Sequence, residues 1–149
     1  MSSQPKEAKL FLESMEAGVL STQSADMPGY PSGSLVAYAL DADGCPVVQL
    51  SALAEHTKNI SRDLRVSLTV ADVKKGDIQN SPRLTLLADA VKLTPVPDGT
   101  RERYYARFPA AREYDERLDF SFYKLTVLKA RFIGGFGRIT NLDPEEFKK

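Results

Sequence analysis

A two-residue hydrophobic period most constrains what this chain can become. Val66, Leu68 and Val70 alternate with Ser67 and Thr69, the pattern of a strand with one buried face. Further strand candidates lie at residues 19–23, 34–40, 46–50, 83–94, 120–128 and 130–139. Between them stand turn and loop signals: a Ser-, Pro- and Gly-rich stretch at 24–33, Asp41-Ala42-Asp43-Gly44, and a polar connection at 74–82. Pro95 and Pro97 stop the strand before them. Helical spacing is confined to three places. Residues 5–17 put Ala8, Phe11, Leu12 and Met15 on one face, with Gly18 as the stop. A short helix opens at His56–Thr57, and residues 101–107 carry an apolar side of Tyr104, Tyr105 and Phe108. Six or seven strands in mostly antiparallel order, with few helices, predict a mainly β fold: a small β-barrel with peripheral helices. No GxGxxG and no regular βαβ alternation are present, which argues against a dinucleotide-binding sheet.

The 149 residues predict a single domain spanning 1–149. Twenty basic residues balance twenty acidic ones, which argues against general nucleic-acid binding. No apolar run approaches the roughly 20 residues needed to cross a bilayer, and the charged, amphipathic N-terminus is unlike a signal peptide. Cys45 is the lone cysteine, so no disulfide framework and no cysteine-based metal site are expected. A cytoplasmic setting is the simplest expectation.

Residues 47–70 hold the leading site candidate: an apolar strand, Ser51, a helix start, then a second strand. Thr57 is a good N-cap type, because its hydroxyl can accept an unpaired amide hydrogen of the first turn. Ser51, His56, Thr57, Lys58 and Asn59 thus gather hydroxyls, free amides and a cation, a set that favours a bound phosphate. A capped surface helix fits the same residues. His56, the single histidine, suits a phosphate ligand, a haem ligand or a polar residue at a helix start, and cannot by itself build a multi-histidine metal site.

Weaker candidates follow. In Tyr30-Pro31-Ser32-Gly33-Ser34 a glycine between serines allows close approach to the backbone, though an ordinary turn reads the same way. Arg83 opens a strand and suits either a surface position or a planar ligand edge. The run from Phe132 to Arg138 places Gly134, Gly135 and Gly137 inside a strand pattern, which signals a bulge or barrel corner first and a close ligand second. Arg138 could reach a bound anion. No catalytic triad or carboxylate pair emerges from spacing.

The ordered set GVLST, GYPSGSLVAYALD, PVVQLSALAEHTKNI and RVSLTV resembles the pyridoxamine 5′-phosphate oxidase-like family of FMN-binding split barrels. The later segments SPRLTLLADA, ERYYARFP and FSFYKLTVLKARFIGGFGRI are most similar to its haem-utilisation branch. The resemblance implies a six-stranded antiparallel split barrel that forms a homodimer, with FMN in clefts between subunits. Carried over by position, Ser34, Leu35 and Val36 would lie along the flavin ring, and Leu50 and Ser51 near the ribityl chain and phosphate. His56 to Asn59 would hold the phosphate, and Arg83 would reach the flavin or its ribityl chain. It further implies flavin-dependent oxidoreductase chemistry on an unknown small molecule. A haem-binding or haem-degrading protein, or a non-catalytic flavin carrier, are the alternatives on the same barrel. The chain departs from true pyridoxamine phosphate oxidases, since no histidine follows His56.

If Lys58 meets a phosphate, its truncation to alanine removes a charged hydrogen bond of about 1.5–3 kcal/mol. A fluorescence titration with FMN should then show roughly a 10- to 150-fold loss of affinity.

Overall fold

A computed structural model describes residues 4–117, 119–135 and 138–148. In chain order the elements are α1 (Gln4–Ser14), β1 (Ala17–Gln23), β2 (Pro31–Ala37), β3 (Ala39–Leu40), β4 (Pro46–Ser51), α2 (Glu55–Arg62) and β5 (Arg65–Ala71). Then come β6 (Arg83–Lys92), α3 (Thr100–Arg107), α4 (Arg112–Arg117), β7 (Phe120–Ile133), β8 (Ile139–Leu142) and α5 (Pro144–Lys148), with short 3-10 turns at Ile78–Asn80 and Pro109–Ala111. Among the described residues no helix is long and apolar enough to cross a membrane.

The strands form one antiparallel sheet in the order β2-β1-β5-β6-β7-β4-β3, with β8 also on β7. The sheet curls until β2, at one end of this path, approaches β4 near the other. The expected mainly β barrel with peripheral helices is therefore the observed fold. Its concave face buries Leu20, Leu68, Leu86 and Leu125, which are the inward residues of alternating strands. Ala8 and Leu12 of α1, Ile60 of α2 and Phe147 of α5 pack against that core. Lys124 on β7 ties down the β3–β4 hairpin turn, lying 3.1 Å from the Asp41 carboxylate and 2.8 Å from that of Asp43.

Alternation is lost in β4 for a physical reason. Val48 faces the barrel core, while Val47 packs in a second cluster with Tyr104, Tyr105, Ala111 and Phe122 beneath α3. A strand covered on both sides reads as a continuous apolar run.

Four expectations need correction. The strands expected at 120–128 and 130–139 are one strand, β7, up to Ile133. Its first residues pair with β4 and the rest with β6, so no turn is required at Lys129; the pattern only slips where a bulge falls between Leu87 and Ala88. Gly134 and Gly135 consequently lie in the turn after β7, where Gly135 has φ +109°, and not inside a strand; Phe136 and Gly137 fall outside the described residues. Gly18 does not stop α1 but sits inside β1, and the strand count among the described residues rises to eight through the short β3 and β8.

Gly18 is packed tightly: an added Cβ would lie 2.7 Å from the Thr69 carbonyl oxygen, 3.0 Å from Val70 Cγ2 and 3.1 Å from Leu68 Cδ1. The first of these is backbone in a paired strand and cannot yield cheaply. Gly18→Ala should cost about 1–3 kcal/mol, read as a lower urea midpoint at unchanged m-value.

Candidate functional site

The curl of the sheet leaves a cavity of about 540 Å³ between the ends of β2 and β4, the start of α2, and the segment from α3 to the first residue of β7. That volume lies within the about 300–1,000 Å³ usual for small-molecule and cofactor sites. β2 contributes Leu35, Val36 and Ala37, and β4 contributes Gln49, Leu50 and Ser51. Ala54 and His56 come from the entry to α2; Tyr104, Phe108, Ala110, Ala111, Tyr114 and Phe120 complete the far wall.

That far wall is an aromatic assembly. Tyr104 meets Phe108 and Phe122, each at 5.2 Å between ring centroids. Tyr114 and Phe120 stack at 5.5 Å with their planes 28° apart. Gln49 Nε2 donates to the Tyr105 hydroxyl at 3.1 Å and anchors α3 to β4. Burial pushes the Tyr104 phenol up to about 12, so it stays protonated at neutral pH. Arg112 lies over the Tyr105 ring at 4.7 Å, a cation placed beside this wall.

Ser51 shapes the opposite side. Its Oγ accepts the Leu53 N–H at 3.2 Å and its carbonyl accepts the Ala54 N–H at 3.2 Å. This turn starts α2 three residues earlier than Thr57 would as a cap. Ala54 is the N-cap and offers no side-chain bond. Thr57 is instead the third helical residue, buried, and its Oγ1 is the one buried side-chain polar atom without a partner among the described residues.

Of the predicted site residues, the cavity collects Leu35, Val36, Leu50, Ser51 and His56. Ser32, Gly33 and Ser34 run along β2 opposite Thr22, Ser21 and Leu20, outside the cavity lining. Lys58 is exposed on α2 and does not line the cavity. Asn59 is buried and turned inward: Nδ2 donates to Thr22 Oγ1 at 3.0 Å, and Oδ1 accepts the Ala25 N–H at 2.9 Å. Arg83 donates through Nη1 to the carbonyls of Gln79 (3.3 Å) and Ser81 (3.1 Å), steadying the turn before β6. Arg138 lies 4.0 Å from the Glu7 carboxylate. Neither arginine lines the cavity. Sequence reasoning missed Gln49 and the aromatic wall, because tyrosines and phenylalanines read as core. The apolar side of the helix at 101–107 was the available signal.

Burial holds the His56 imidazole below its ordinary value of 6.5. As pH falls past 6.5, the unfolded chain takes up this proton before the folded one does. His56 therefore costs the fold no stability above 6.5, and the cost grows as pH drops toward its lower folded value. Urea midpoints taken between about pH 7.5 and 5.5 should fall more for the wild type than for His56→Gln.

The comparisons agree with this architecture. Residues 1–149 match the family described as CREG, beta-barrel. The chain is 36% identical over 131 residues to the Non-canonical heme oxygenase HOZ of Arabidopsis thaliana chloroplasts, covering 87% of this chain and 40% of that protein. It superimposes on a heme binding protein from Mycobacterium smegmatis with a TM-score of 0.88 and 31% identity, over 99% of this chain and 61% of the other. The chain thus spans under two thirds of either relative. A Clostridium acetobutylicum protein of the pyridoxinephosphate oxidase family, at 13% identity and TM-score 0.68 over 99% of both chains, shares the fold alone. By sequence along its whole length and by its curled antiparallel sheet, the chain belongs to the CREG β-barrel family.

Proposed function

We propose that this chain binds haem in the cavity between β2, β4, α2 and the α3–β7 segment. One observation carries the reading: a mostly apolar cavity, walled by aromatic rings, has the chain's only histidine on its rim. A flat macrocycle gains by burying its faces against such walls. The names of the Arabidopsis and mycobacterial relatives support haem over other planar ligands. Haem, when bound, supplies its own iron-centred chemistry. The chain's residues would bind and orient the ring and keep water from it: Leu35, Val36 and Leu50 on one side, Phe108 and Tyr114 on the other.

A second reading, an FMN-dependent oxidoreductase, draws on the unpartnered Thr57 hydroxyl and the Ser51 turn at the start of α2, where a phosphate would find donors. Adding ferric haem or FMN to the purified protein separates the two. A Soret band that saturates at one haem per chain, with FMN producing no change, is expected; saturable flavin quenching without a Soret shift would replace the first reading by the second.

The convex face of the sheet favours a homodimer. Leu35 is 78% exposed, Leu128 53%, Leu87 48% and Val19 44%. Val19 and Leu35 are cross-strand partners, and Leu87 and Leu128 line one shallow groove nearby with Ser21 and Ser67. Leu35 also lines the cavity, so a second copy on this face would cover the cavity mouth. Light scattering at micromolar concentration should give a dimer mass, and Leu87→Lys should lower it toward that of a monomer.

A further inference from the structure

We infer that His56 supplies the protein's bond to iron when haem occupies the cavity, an assignment that rests on the haem reading above. Ligand number favours this assignment. A free divalent ion of the zinc type needs about three or four protein ligands. Haem arrives with four porphyrin nitrogens and needs one or two axial groups from the protein. Among the described residues, no three His, Cys, Asp or Glu side chains are placed to hold a metal ion together. A single imidazole on an apolar wall is therefore a poor site for a bare ion and a fitting one for an iron already held in a ring.

Of the other oxygen and sulfur donors nearby, Tyr104, Cys45 and Ser51 are poorly suited, and Tyr114, which also lines the cavity, would give no nitrogen splitting in the test below. Tyr104 is buried among Phe108 and Phe122 and keeps its proton, so it offers no phenolate. Cys45 is fully buried at the β3–β4 turn, among neither the cavity residues nor their aromatic cluster. Ser51 Oγ is engaged with the Leu53 amide. His56 lies at the second position of α2, and its backbone is fixed there by the Ser51 turn. It lines the cavity half-buried, and the partial desolvation that disfavours its cation favours the neutral imidazole that binds metals.

Because His56 is the chain's only histidine, the wild-type spectrum alone is decisive. Untagged protein comprising residues 1–149 is loaded with ferric haem, and the reduced, nitric-oxide-bound form is recorded by electron paramagnetic resonance. The same is done for His56→Ala and His56→Gln, with circular dichroism to check folding. Nitrogen hyperfine splitting from an axial histidine is expected in the wild type. It should be lost in a folded variant and recovered when free imidazole is added to His56→Ala. Haem binding with the same ligand signature in wild type and variants would overturn the assignment and leave the haem reading standing. A wild type that binds haem without an imidazole signature would do the same, even if both variants fail to fold. A wild type that binds no haem would overturn both.

Discussion

Strand β7 is the constraint on which the other elements depend. Its fourteen residues pair with β4 over Phe120–Lys124, with β6 over Tyr123–Ile133 and with β8 over Ala130–Ile133. One strand therefore joins the β1–β2–β5–β6 part of the sheet to the β3–β4 hairpin, and its twist carries β4 round toward β2. Without that continuity the hairpin would not close the concave core, and the cavity between β2 and β4 would have only one side.

The same junction explains why two hydrophobic clusters exist. β4 and the first residues of β7 present one face to the barrel core and the other to α3 and the aromatic residues after it. Phe122 and Tyr123 are neighbours in sequence and belong to different clusters, as the pleat of a strand demands. The cavity lies where the second cluster runs out at the strand ends. Its lining is therefore mostly apolar, with Ser51 and His56 coming from the turn that leaves β4 and the helix after it, and Gln49, Tyr104 and Tyr114 from β4 and the far wall.

Polar satisfaction decides which residues are available to a ligand. Asn59 and Arg83 looked like binding residues because amide and guanidinium groups suit polar ligand edges. The fold uses Asn59 to fasten α2 to β1 and the loop beyond it, and uses Arg83 to hold the turn before β6. A buried amide left without such partners would cost about 1–3 kcal/mol, so the Asn59 bonds are structural requirements of the chain. Thr57 is the opposite case: a hydroxyl expected to cap the helix is buried in it without a partner, because the Ser51 turn moved the helix start forward.

The sequence by itself determined the strands, their turns and the class of fold, because a two-residue period with Gly, Pro and Asp punctuation is a local property of the backbone. It also singled out Ser51 and His56, since a strand leading through a small polar residue into a helix start is readable along the chain. Tertiary structure decided that residues 120–133 are one strand, because continuity there is enforced by partners on two edges and not by the residues between. It decided too that Tyr104, Phe108, Tyr114 and Phe120 face Leu35, Leu50 and His56 across a cavity. Those groups stand roughly half the chain apart, and no spacing rule reaches that far. Only the curl of the sheet brings the two walls together.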